Sequence, residues 1–102
     1  MPLPYPLLYS TAGAAPASTT IDASGTWAWP NIGEPSYQEV GDVSKLAVGD
    51  RVFIDDGVNR GELLVQGIGD TLPGFVTFVN DAPPGGTEMA DGALVVVIEI
   101  PA

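Results

Sequence analysis

Beyond residue 20, apolar and polar positions mostly alternate. Arg51–Asp55 places Val52 and Ile54 on one side and Phe53 on the other, which is the two-residue period of a strand. Thr19–Ala23 and Thr26–Trp29 are short β-branched or aromatic stretches set off by Ser24-Gly25 and Pro30-Asn31, the punctuation expected at strand ends. Ser36–Val40, Glu62–Ile68 and Phe75–Val79 continue the series, with turn regions at Asp56-Gly57, Gly69–Gly74 and a longer loop from Asn80-Asp81 through Gly86. Ala93–Ile100 is the strongest strand, with Leu94, Val96, Ile98 and Ile100 facing one way and Val95 and Val97 the other. A strand apolar on both sides is either central in a sheet or packed on a partner. On the second of these, Val95 and Val97 are candidates for a subunit interface. No segment repeats apolar residues at helical spacing over three turns. Six or seven short strands over about 80 residues predict an all-β domain, a small barrel or a sandwich.

Two local patterns refine this. Asp55-Asp56-Gly57-Val58-Asn59-Arg60-Gly61 reads as a hairpin loop, making the strands on either side antiparallel neighbours. Leu46-Ala47-Val48-Gly49-Asp50, followed by Arg51-Val52-Phe53-Ile54, resembles the turn that leads into a strand of SH3-like barrels. In that pattern Leu46 and Val48 plug the core. Gly49 can take a positive φ, and Asp50 can bond the backbone of the turn.

The first twenty residues differ in kind. They hold four prolines, four alanines, one glycine and no charged side chain. Pro2, Pro4 and Pro6 impose extended backbone on their neighbours, and Thr11–Thr20 has no periodic apolar face. The division expected is an extended N-terminal arm over 1–20 and a β domain over 21–102. Leu3, Tyr5, Leu7, Leu8 and Tyr9 put five large apolar groups into nine residues. That is more than a solvating tail carries, so these five are the candidate partner-binding residues of the arm.

Charge and composition narrow the chemistry. Three basic residues stand against thirteen acidic ones, for a net charge of −10 over 102 residues. Lys45, Arg51 and Arg60 cannot neutralise a run of phosphates, so no nucleic-acid partner is expected. No amphipathic basic stretch suits a membrane surface, and Ala93–Ile98, the longest apolar run, is far short of the roughly 20 residues that span a bilayer. The absence of histidine and cysteine removes imidazole bases, thiol nucleophiles and nearly every zinc, copper, haem or iron–sulfur site. A serine hydrolase lacks its base and its G-x-S-x-G, and a glycosidase pair cannot be picked from the carboxylates. No enzyme, cofactor or metal is expected. Asp55, Asp56 and Asn59, with Glu62, offer oxygen ligands for calcium, but at spacings unlike an EF-hand loop. Trp27 and Trp29 lie on one side of an extended segment, where they either stack on sugar or pack in a core or subunit interface.

The layout of an uncharged Ala/Thr/Pro/Gly stretch (Thr11-Ala-Gly-Ala-Ala-Pro-Ala-Ser-Thr-Thr) before a cysteine-free acidic β domain resembles the capsid decoration (cement) proteins of tailed bacteriophages. The resemblance implies a β-barrel or β-tulip domain, commonly trimeric, with a dimer as the other arrangement. It implies a place on the outer capsid surface of the virion after synthesis in the host cytoplasm. Its partners would be the major capsid protein and other copies of itself. The arm would lie across the capsid protein, and no catalytic residues carry over. The alternative is a β-rich binding module of a phage tail or fibre, or of a bacterial surface assembly, recognising glycan or protein.

Overall fold

A computed structural model describes residues 9–13, 16–23, 25–69, 73–81 and 88–101. Among the described residues, eight strands run in the order β1 (Ser18–Thr20), β2 (Trp27–Ala28), β3 (Pro35–Glu39), β4 (Arg51–Asp55), β5 (Arg60–Ile68), β6 (Phe75–Val79), β7 (Glu88–Met89) and β8 (Leu94–Glu99), with a 3-10 turn at Val43–Lys45. Six of them form one antiparallel sheet ordered β1-β8-β4-β5-β6-β3, and β2 pairs with β7 in a separate ribbon. The fold is all-β, as the alternation predicts.

The large sheet curls until its two edges meet. Just past β1 and β3, Ile21 bridges Val40, with Gly41 N–H donating to Thr20 O at 2.9 Å and Asp22 N–H to Glu39 O at 2.8 Å. The closure is feasible because the neighbouring residues are small. A side-chain carbon on Gly41 would come within 3.3 Å of Thr20 Oγ1. A register shift in β5 between Val65 and Gly67 adds the local bend that tight curling needs.

Strand parity fills the interior. Val52 and Ile54, Leu63 and Val65, Val76 and Phe78, and Val95 and Val97 all point inward and are almost wholly buried. Burying side chains of this size is worth roughly 1.5–3 kcal/mol each, which holds a small sheet closed without disulfides. Phe53 and Val96 face each other across β4 and β8 on the opposite side from this cluster, and they too are buried.

Each end of the barrel has its own plug. At the β4–β5 hairpin end, the β2–β7 ribbon inserts Trp27, Trp29 and Met89 into the core cluster. Trp29 lies against the backbone of β5, so a side-chain carbon on Gly61 would sit 2.9 Å from its ring. At the other end, Leu46 is buried just before the turn that starts β4.

Three sequence expectations change. The leading stretch is not an arm as far as residue 20. Ser18–Thr20 pair with β8, Val97 N–H donates to Ala17 O, and Ala17 and Ile21 are inside the core. Ala17, Ser18 and Thr19 are compact enough to lie against the Val-rich β8. Val48 is 57% exposed rather than plugging the core, because it sits at the tip of its turn. The long loop after residue 80 also returns as a strand, β7, which carries only one large apolar side chain to mark it.

Candidate functional site

The expected partner-binding residues Leu3, Tyr5, Leu7 and Leu8 lie outside the described residues, while Tyr9 is described and 66% exposed. What anchors the chain behind Tyr9 is well defined. Ser10 to Gly13 make a turn closed by Gly13 N–H to Ser10 O at 2.9 Å, and Ser10 Oγ accepts from Ala12 N–H at 3.0 Å. Thr11 then donates twice to Asp50 Oδ1, from its amide at 3.2 Å and its hydroxyl at 3.0 Å.

The Asp50 turn is the hub of this end of the barrel. Asp50 N–H donates to Ala47 O at 3.1 Å, and Gly49, at φ +96°, takes the left-handed position that such a turn requires. Asp50 Oδ2 accepts from Ala47 N–H at 2.9 Å, the turn bond anticipated from the sequence. Pro101 packs on the same turn, close enough that a side-chain carbon on Gly49 would approach it to 3.0 Å. Both ends of the described chain therefore converge on residues 47–50. Three apolar residues close in sequence to the members of this hub, Tyr9, Val48 and Ile100, are all at least 45% exposed. The sequence marks Gly49-Asp50 as a turn but gives no sign that Thr11 is its partner, since the contact spans 39 residues.

At the opposite end, the carboxylates considered for calcium hold backbone instead. Asp55 Oδ1 accepts from Gly57 N–H at 2.7 Å. Asp56 Oδ1 accepts from Val58 and Asn59 N–H at 2.8 and 2.6 Å, and its Oδ2 from Ala90 N–H at 3.0 Å. Asn59 Nδ2 donates to Glu88 O at 3.1 Å. These bonds tie the hairpin loop to the β2–β7 ribbon. The amide of Ala90, followed by those of Asn59 and Val58, holds the Asp56 carboxyl below the usual carboxylate range. Glu62 lies 3.6 Å from Arg51, whose guanidinium grips Asp81 in a two-pronged contact at 2.7 and 3.3 Å. That grip lowers the Asp81 pKa and raises that of Arg51. Among the described residues, no three acidic side chains gather as a metal ion would need.

The candidate interface residues are also placed. Trp27 and Trp29 are 5% and 2% exposed, with ring centroids 5.9 Å apart, and Trp27 Nε1 donates to Ala90 O at 3.3 Å. They pack inside their own chain and present no face to a sugar. Val95 and Val97 point into the same core with no exposed surface. The outward face of β8 is the other one, where Leu94 is 36% exposed. The four side chains read for a subunit interface thus lie in the interior of one chain. Phase explains the two valines: a strand apolar on both sides does not reveal which side turns inward. Set against protein-family models, curated proteins and solved structures, the chain matches none.

Proposed function

We propose that this chain is a non-enzymatic structural protein of a tailed-phage virion, binding the outer capsid surface and reinforcing contacts between capsomers. In this reading residues 1–8 meet the major capsid protein and the barrel is the body they tether. The observation that carries it is the site just described. An eight-residue uncharged segment with Leu3, Tyr5, Leu7 and Leu8 precedes a firmly anchored turn, and Tyr9, Val48 and Ile100 are exposed. An extended segment of that composition suits addition to a sheet edge, with backbone bonds giving affinity and side-chain pockets giving register. Ordering it costs about 1–2 kcal/mol per residue, which repeated engagement on a multi-copy lattice offsets. The charge of −10 favours a position away from packaged DNA and keeps unbound copies apart until assembly.

Self-association into trimers, or dimers, belongs to the same proposal and would use outward residues such as Leu94 and Ile100 rather than the buried tryptophans. The alternative of a glycan-recognising module loses its stacking platform with the burial of Trp27 and Trp29. Co-sedimentation with capsid shells stripped of their own outer proteins tests the proposal. The full chain should pellet with the shells and a chain lacking residues 1–8 should stay in the supernatant. Equal behaviour of the two, bound or unbound, defeats it.

A further inference from the structure

We infer that the open half of strand β3 is a docking edge for an extended, basic segment of another protein. The seam of the barrel closes over one end of β3 only. Val40 N–H donates to Gly74 O on the β6 side, while Glu39 O accepts from Asp22 N–H on the β1 side. Backbone groups along an antiparallel strand turn alternately to its two sides. Ser36 and Gln38 therefore turn toward β6, and Pro35 and Tyr37 toward the seam. Beyond the bridge between Ile21 and Val40 the seam has no second wall. β3 is the last strand of its sheet, and among the described residues none pairs with residues 35–38 on that side. Ala23, next along the seam, instead gives its N–H to Asp91 Oδ1 at 2.8 Å. The amide and carbonyl of Tyr37 and the carbonyl of Pro35 are left along this edge, the groups an added strand would pair.

What the edge accepts follows from its charge. Glu34 and Glu39 are exposed, stand on either side of the open stretch, and join none of the ion pairs among the described residues. A second copy is a poor occupant. Two β3 strands paired about Tyr37 would bring Glu39 of each chain opposite Pro35 of the other, one residue from Glu34. Each body would also carry a charge of −10, and like charges and proline at an edge are what discourage such self-pairing. A segment with Lys or Arg flanking an uncharged centre has the opposite sign at both ends. Its backbone would continue the sheet through the Tyr37 amide and the two carbonyls. The Tyr37 side chain, 51% exposed on the outward face, would pack beside the segment's own outward side chains. This edge is separate from the segment proposed to meet the capsid, and it stands or falls independently of that reading.

Titration of the full chain with the peptide Lys-Lys-Thr-Val-Thr-Val-Thr-Lys-Lys, followed by amide NMR, tests this. Shifts should concentrate at residues 34–39 and the facing positions of β6. Exchange of the Tyr37 amide should slow at least about tenfold at saturation, while that of Gln38, already turned to β6, keeps its rate. The same peptide with glutamate in place of lysine, or with its central amides N-methylated, should bind at least about tenfold more weakly. On the protein, Glu34→Gln combined with Glu39→Gln should reproduce the loss from charge. Tyr37→Pro removes only an N–H that faces away from the ladder, which an edge strand tolerates, and should abolish binding. The paired glutamine variant, changed only at exposed side chains, gives the reading should the proline variant not fold. No binding at millimolar peptide, shifts spread over the barrel, equal binding of the lysine and glutamate peptides, or dimerisation of the chain through β3 overturns the docking edge.

Discussion

At the residue scale, single side chains carry long-range connections that a strand pattern does not display. Gly61 is one. Its backbone is not in the left-handed region, so the requirement is space, because the Trp29 ring occupies the place of a side chain. Gly61→Ala should destabilise the fold by about 1–3 kcal/mol, the usual cost of overpacking, read from urea unfolding followed by tryptophan fluorescence. Asp56 is another. Its folded-state pKa lies below the unfolded value, so its contribution is present above that value and fades as pH falls through the folded one. With an unfolded carboxyl near 3.9, the parent chain should lose thermal stability below about pH 4. Asp56→Asn should start lower at pH 7 and lose less over the same acid range; parallel curves for the two would contradict the assignment. Both roles were half legible. Asp55-Asp56-Gly57 announces a turn, but nothing local says that the carboxylate also reaches Ala90, 34 residues on.

At the element scale, alternation located the strands well wherever the alternation was strong. Arg51–Asp55 and Phe75–Val79 form strands with the expected bounds, and β4 and β5 are antiparallel neighbours as expected, although β5 starts at Arg60, inside the stretch read as loop, where Asp55 pairs with it. Strand β8 is interior to the sheet, as its two apolar faces suggested, but which face turns inward depends on the closure of the whole sheet. The predicted consequence is position-specific. Val95→Asn buries an amide with no partner in the core and should cost about 2 kcal/mol or more. Leu94→Asn, one residue earlier on the outward face, should stay within about 0.5 kcal/mol. Chemical denaturation of the pair checks this, and similar losses from both would mean that the face is misassigned. The shortest strands were hardest to read. β7 has two residues and one apolar side chain, too little for any period, and it exists because β2 and the Asp56 loop hold it.

At the scale of the whole molecule, the uncharged leader is not one zone: among its described residues, Thr11 bonds Asp50 and Ser18–Thr20 pair with β8. Composition treats Met1–Thr20 as one zone, because Ala, Ser and Thr look alike in a tether and on the wall of a barrel. Only the partner strand separates them. Residues 17–21 complete the barrel against β8 and meet residues 39–41 across the seam. Residues 1–8 are the segment proposed to bind. Stability and binding should therefore separate on truncation. The most direct measurement is urea unfolding of two shortened chains, one beginning at residue 9 and one at residue 21. The first should unfold in one cooperative transition at a midpoint close to that of the full chain. The second loses β1 and the buried Ala17 and should show no cooperative transition, or one at much lower urea. Two equally stable chains would show that the barrel closes without its first strand, and the division of the leader would be wrong.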